Sequence, residues 1–156
     1  MIAETKSDLL LGIEAAETVS RYSLDPSKKV GAVLRGHTWA RGFNHIPAGI
    51  YHPSDPRIAE LTRDERLDLT VHAELHLLID AGKATQGATM FIGATEPDGT
   101  PVGIAPCRRC AVHIISAGIA HVVCRQRPAE SRWRDEWAES IRMFKKAGIA
   151  FVEVGA

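Results

Sequence analysis

Two short segments constrain the fold of this chain more than any other feature: Val71-His72-Ala73-Glu74 and, about thirty residues further on, Pro106-Cys107-Arg108-Arg109-Cys110. An imidazole and two thiolates are borderline-soft donors suited to Zn2+, and three protein ligands leave the fourth tetrahedral position for water. Two residues separate Cys107 from Cys110. That spacing puts both sulfurs near the first turn of one helix, where the N-terminal dipole favours thiolate. His72 opens a different helical pattern, so a fold that uses all three residues must bring two helix N-termini together.

Hydrophobic periodicity supplies the scaffold. Leu9, Leu10, Ile13, Ala16 and Val19 recur at helical spacing between Lys6 and Arg21. Asp25-Pro26-Ser27 breaks the pattern, and Val30 to Leu34, turned by Arg35-Gly36 into Thr38 to Phe43, reads as a β-hairpin. Asn44 to Leu67 carries Pro47, Pro53 and Pro56 and no long period, so it reads as a long functional connection. Within it, Arg63-Asp64-Glu65-Arg66 reads as a solvated face. Val71 to Ala81 is a helix stopped by Gly82, Ala88 to Ala94 a strand, and Glu96 to Gly103 a turn cluster. Pro106 suits the first position of a helix running to Gly118, and Ile119 to Cys124 is a strand. Arg132 to Ala147 repeats Trp133, Trp137, Ile141 and Phe144 on one face, and Ile149 to Val154 closes the chain.

Strands joined through a helix are usually parallel neighbours, so the last two should be parallel and the first two an antiparallel hairpin. The expectation is an α/β fold: a five-stranded mixed sheet with helices on its faces. At 156 residues, 45% of them hydrophobic, the chain reads as one domain, 1–156.

Nineteen basic residues balance nineteen acidic ones, which disfavours long nucleic acid and membrane surfaces as partners. No uncharged apolar run approaches bilayer length, and Met1 to Leu11 carries Glu4, Lys6 and Asp8, unlike an export signal. Cys107, Cys110 and Cys124 are an odd count that argues against a disulfide framework and fits a reducing, cytoplasmic setting. A small-molecule substrate is expected.

The pairing H-x-E followed by P-C-x-x-C is the known signature of the zinc deaminases, and His72 to Glu74 with Pro106 to Cys110 match it residue for residue. Hydrolytic removal of an aromatic amine needs a strong nucleophile at neutral pH, which zinc supplies by lowering the pKa of its water toward about 7. It also needs a proton carrier, the role that falls to Glu74. The competing reading is a structural zinc site closed by a fourth ligand, from His45, His52, His76, His113, His121 or Cys124. His76 reads as a packed or capping histidine, and Trp133 and Trp137 as core.

Beyond the motifs, the chain resembles the cytidine and deoxycytidylate deaminase superfamily, most of all the zinc-dependent dCMP deaminases. The resemblance runs through Asp25 to Val33, the loop Gly42 to Gly49, Arg63 to His72, Gly87 to Phe91, Cys110 to Val123 and Trp133 to Val154. It implies a three-layer α/β/α fold with His72, Cys107 and Cys110 as Zn2+ ligands and Glu74 as proton shuttle. It further implies Asn44 at the sugar or phosphate side of a nucleotide, the Ala73 backbone at the pyrimidine edge, and a homo-oligomer, dimer or hexamer. The implied reaction is dCMP to dUMP and ammonia, or deamination of another base, nucleoside or pyrimidine intermediate. His45 stands where the family loop has Gly. His76 stands where dCMP deaminases have Asn, a form similar to the deaminase domain of riboflavin biosynthesis, and Glu96 to Ala105 is longer than usual.

Overall fold

Thr5 fixes where the first helix begins. Its hydroxyl accepts the Asp8 N–H at 3.2 Å while the Asp8 carboxylate receives the Thr5 N–H at 2.9 Å, a reciprocal cap that starts α1 (Lys6–Ser20). The computed structural model describes residues 4–155, so the part of the leader reading that falls on Met1 to Ala3 lies outside the described residues. After α1 come β1 (Lys29–Arg35), β2 (Trp39–Phe43), α2 (Arg63–Leu69), α3 (Ala73–Ala81) and β3 (Thr89–Thr95). They are followed by β4 (Pro101–Val102), α4 (Arg108–Ser116), β5 (His121–Arg125), α5 (Arg134–Ala147) and β6 (Ala150–Val154).

The sheet order is β2-β1-β3-β5-β6. The β1–β2 pair is an antiparallel hairpin, β1 is antiparallel to β3, and β3, β5 and β6 run parallel, as the crossover argument expects. Period-two alternation sorts the strands between two faces. Val33, Phe91, Val123 and Val154 meet Ile13, Ala16 and Val19 of α1. Ala32, Leu34, Met90, Ile92, Val122 and Cys124 pack with Leu77 of α3, Ile114 of α4 and Phe144 of α5. Three layers result, and no described helix is long and apolar enough to cross a membrane.

Three readings of the sequence need correction. The turn expected in Glu96–Gly103 is present at Glu96 to Thr100, but the chain then returns as a short sixth strand, β4, which pairs with Ala94 and Thr95. The connection after Asn44 is not structureless: it holds a 3-10 turn (Pro56–Glu60) and α2. Thr62 and Glu65 cap α2 reciprocally, at 2.8 and 3.3 Å, so the solvated face Arg63 to Arg66 is a turn of this helix, exposed as expected at Arg63, Asp64 and Glu65 and half-buried at Arg66. Finally, α3 and α4 begin later than expected, because Val71 is held extended by a bridge to His45 and Pro106 precedes the cap rather than following it.

Helices reach this sheet closely only where side chains are missing. Gly31 and Gly93 are register partners, and a Cβ on either would lie 2.1 Å from the Ala16 carbonyl oxygen or 2.6 Å from the Glu17 nitrogen of α1. On the opposite face, a Cβ on Gly42 would lie 2.2 Å from the Ala73 carbonyl oxygen and 2.4 Å from the Leu77 nitrogen. Those atoms are helix backbone and cannot rotate aside. Gly42→Ala is expected to cost about 1–3 kcal/mol or more by overpacking. Urea unfolding should show a lower midpoint, and an unchanged midpoint would mean that α3 can move away at no cost.

Candidate active site

The three sequence-predicted donors meet where α3 and α4 begin. His72 is the N-cap of α3 and Cys107 the N-cap of α4, both with extended backbone (φ −69°, ψ 151° and φ −70°, ψ 165°). The Cys107 Sγ caps its helix by accepting the Cys110 N–H at 3.5 Å, which fixes the two sulfurs relative to each other. His72 Nδ1 stands 3.3 Å from Cys110 Sγ and 3.7 Å from Cys107 Sγ. Nitrogen and sulfur held tetrahedrally by zinc stand about 3.6 Å apart, so the donor set fits that ion in type and in spacing. His72 is exposed, Cys107 half-buried and Cys110 buried, so the cluster opens to one side.

Among the described residues this metal-competent cluster has three members. His76 Nδ1 accepts the Phe43 N–H at 3.1 Å, its Nε2 lies 3.4 Å from Asp80, and its ring packs against Phe43 and His45 at centroid distances of 5.0 and 4.4 Å. It is a packed histidine. Cys124 is fully buried in the core, which pushes its thiol up, and His52, His113 and His121 are exposed outside the cluster. His45 turns its Nδ1 to the Phe43 carbonyl.

Electrostatics inside the cluster follow from burial and close spacing. Glu74 is 4% exposed, and burial raises its carboxyl above the usual range against the pull of His72. The hydrogen bond from the Cys110 thiol draws Cys107 down to about 4 and holds Cys110 up, so one proton serves two sulfurs. Hydrogen bonding to Cys107 in turn raises His72. A proton shared among close donors is what a divalent cation displaces.

Above the donors lies a cleft of about 570 Å³ that includes His72, Ala73, Glu74 and Cys107. Asn44 stands in its wall, held by the Val30 N–H donating to Oδ1 at 2.8 Å and by its own Nδ2 donating to the Lys28 carbonyl at 3.0 Å. A more apolar cavity of about 530 Å³ shares Asp25, Asn44, Arg66 and Thr70 with the cleft but contains none of the donors. Sequence reasoning missed several wall residues. Arg63 and Arg66 of α2 line the cleft, and the Thr62-x-x-Glu65 cap is the signal that places them one turn apart. Arg132, Trp133 and an edge of the mostly buried Trp137 line it too. Trp137 is buried as expected of core, but Trp133, at the N-cap of α5 and off the helical stripe, is 44% exposed. Lys28 pairs with Glu96 at 3.3 Å, and Arg108 is held by Glu136 at 2.8 Å.

Residues 7–126 match the family described as the cytidine and deoxycytidylate deaminase zinc-binding region. An uncharacterized deaminase in the luxG 3′ region of Aliivibrio fischeri is 31% identical over 140 residues, 87% of this chain and 86% of that protein. Deoxycytidylate deaminase of Mus musculus is 30% identical over 140 residues, 85% of this chain and 71% of that one. The crystal structure of dCMP deaminase from the cyanophage S-TIM5, in complex with dCMP and dUMP, shares the fold. It superposes with a TM-score of 0.71 at 20% identity, over 97% of this chain and 99% of that one.

Proposed function

The chain belongs to the cytidine and deoxycytidylate deaminase family, and from that premise we propose that it converts dCMP, or a close cytosine nucleotide, to the uracil counterpart and ammonia. His72, Cys107 and Cys110 hold zinc in this reading, and Glu74 carries protons. The observation that carries it is the convergence of His72 Nδ1 and two sulfurs at the base of an open cleft with a buried carboxyl beside them. Zinc, when bound, lowers the pKa of a water molecule toward about 7.

Glu74 does the rest. Burial raises its proton affinity, which suits a group that takes a proton from the attacking water and hands it to the ring nitrogen. It then carries a second proton, from the newly bonded hydroxyl to the amine, so that the C–N bond breaks, ammonia departs and the oxygen stays on the ring carbon as a carbonyl. The Ala73 backbone meets the pyrimidine edge, Asn44 the sugar or phosphate side, and the guanidinium groups of Arg63 and Arg66 draw the phosphate into the cleft. One domain over 1–156, a reducing cytoplasmic setting that keeps the thiols free, and a homo-oligomeric assembly complete the reading.

His76, the residue most similar to the riboflavin-pathway form, is engaged with Phe43 and Asp80 and is not part of the cleft wall. It therefore gives no support to a different substrate. Ammonia release measured on dCMP, CMP, deoxycytidine, cytosine, modified cytosines and a riboflavin-pathway pyrimidine should give the highest kcat/KM for dCMP. Silence on dCMP with turnover of another compound would overturn the substrate assignment.

A further inference from the structure

We infer that Trp133 is a substrate-binding residue whose indole forms the flat wall against which the substrate ring lies. The inference rests on the deaminase reading of the cleft and goes beyond it by assigning the ring contact. A single exposed hydrophobic residue on a convex surface would call for no explanation. Trp133, however, is 44% exposed inside a concavity that also holds His72, Glu74 and Cys107. Two hydrogen bonds fix its backbone at the start of α5. The Ser131 hydroxyl accepts the Trp133 N–H at 3.2 Å, and the Trp133 carbonyl accepts the Trp137 N–H at 2.9 Å as the first turn of α5.

The wall is also tied to the donors. Glu136, on the first turn of α5, receives both the Arg108 N–H at 3.0 Å and the Arg108 Nε–H at 2.8 Å. Arg108 follows Cys107, so the start of α5 is anchored to the helix start that carries two of the three sulfur and nitrogen donors. Trp133 thus keeps a fixed place relative to the reacting atoms rather than drifting with a loose connection. Arg132, also in the cleft wall, lies 5.1 Å from the centre of the indole ring in a cation–π arrangement on one of its faces, which leaves the other face for a flat ligand. Stacking on an indole binds any flat ring and leaves its edge free. The hydrogen-bonding edge of the pyrimidine would then be read by the backbone at Ala73, and the face by Trp133.

The test compares wild type with Trp133→Ala, Trp133→Leu and Trp133→Phe, on whichever compound of the panel wild type turns over fastest. Zinc content and melting temperature are followed in parallel. Alanine should lower kcat/KM by about 5- to 150-fold, the range that loss of one base–aromatic stack produces, with most of the change in KM. Phenylalanine should restore most of the loss, whereas leucine, of similar bulk but without a π face, should not. Equal rescue by leucine and phenylalanine, or an alanine variant with unchanged KM, would overturn the stacking role. Turnover of every compound at zero in wild type would instead remove the deaminase reading, and the inference with it.

Discussion

Glutamine at position 74 is expected to leave the zinc content unchanged and to lower kcat by about 10²–10⁴-fold, the usual contribution of a positioned proton carrier. The substitution is nearly isosteric, which matters at a residue only 4% exposed, because no cavity opens and the start of α3 keeps its packing. What is lost is the ability to exchange a proton. Since the two transfers share one carboxylate in the proposed cycle, a single atom change removes both. Metal analysis and steady-state kinetics on the same preparation check the result. A variant with full zinc and full activity would exclude Glu74 from the chemistry.

The second large effect is expected from Cys110→Ala. Cys110 is 3% exposed and its sulfur is the donor nearest His72 Nδ1, at 3.3 Å. Its removal leaves two ligands, and zinc affinity should fall by more than the 10- to 100-fold typical of changes around a metal's ligands. Zinc should be lost on dialysis and activity with it. Cys124→Ala is the control: a fully buried thiol in the same core, outside the cluster, whose loss should cost stability while zinc stays bound. Retention of zinc by Cys110→Ala, or its loss from Cys124→Ala, would contradict the ligand set.

The parts of this structure that were legible in the sequence are those set by local periodicity. Ile13, Ala16 and Val19 mark a helix because their spacing matches one buried stripe, and the helix before each parallel strand determines sheet direction. The donor cluster was legible because His72 and Cys107 sit at caps, where position along the chain implies position in space. By contrast, α2 buries no residue, so it has no apolar stripe to read, and only its Thr62–Glu65 cap reports it. At two residues, β4 is too short for alternation to appear. The cleft wall draws on α2, the loop at Asn44, the approach to Cys107 and the start of α5. Those segments are brought together by long-range packing, and no local pattern announces which of their side chains face the same space. Trp133 illustrates the point: helical spacing grouped it with Trp137, yet one residue outside the helix was enough to turn it toward solvent.

The placement of the donors on either side of β3 has a consequence for how the chain holds together. His72 and Cys107 are 35 residues apart, and the central strand of the sheet lies between them. A metal that joins them closes a loop that contains β3, and so acts as a reversible cross-link. Chain-entropy arithmetic for closing a loop of that size gives about 4 kcal/mol taken from the unfolded state. The same ion would then also be a staple on the topology, linking occupancy of the proposed site to the survival of the fold's innermost strand.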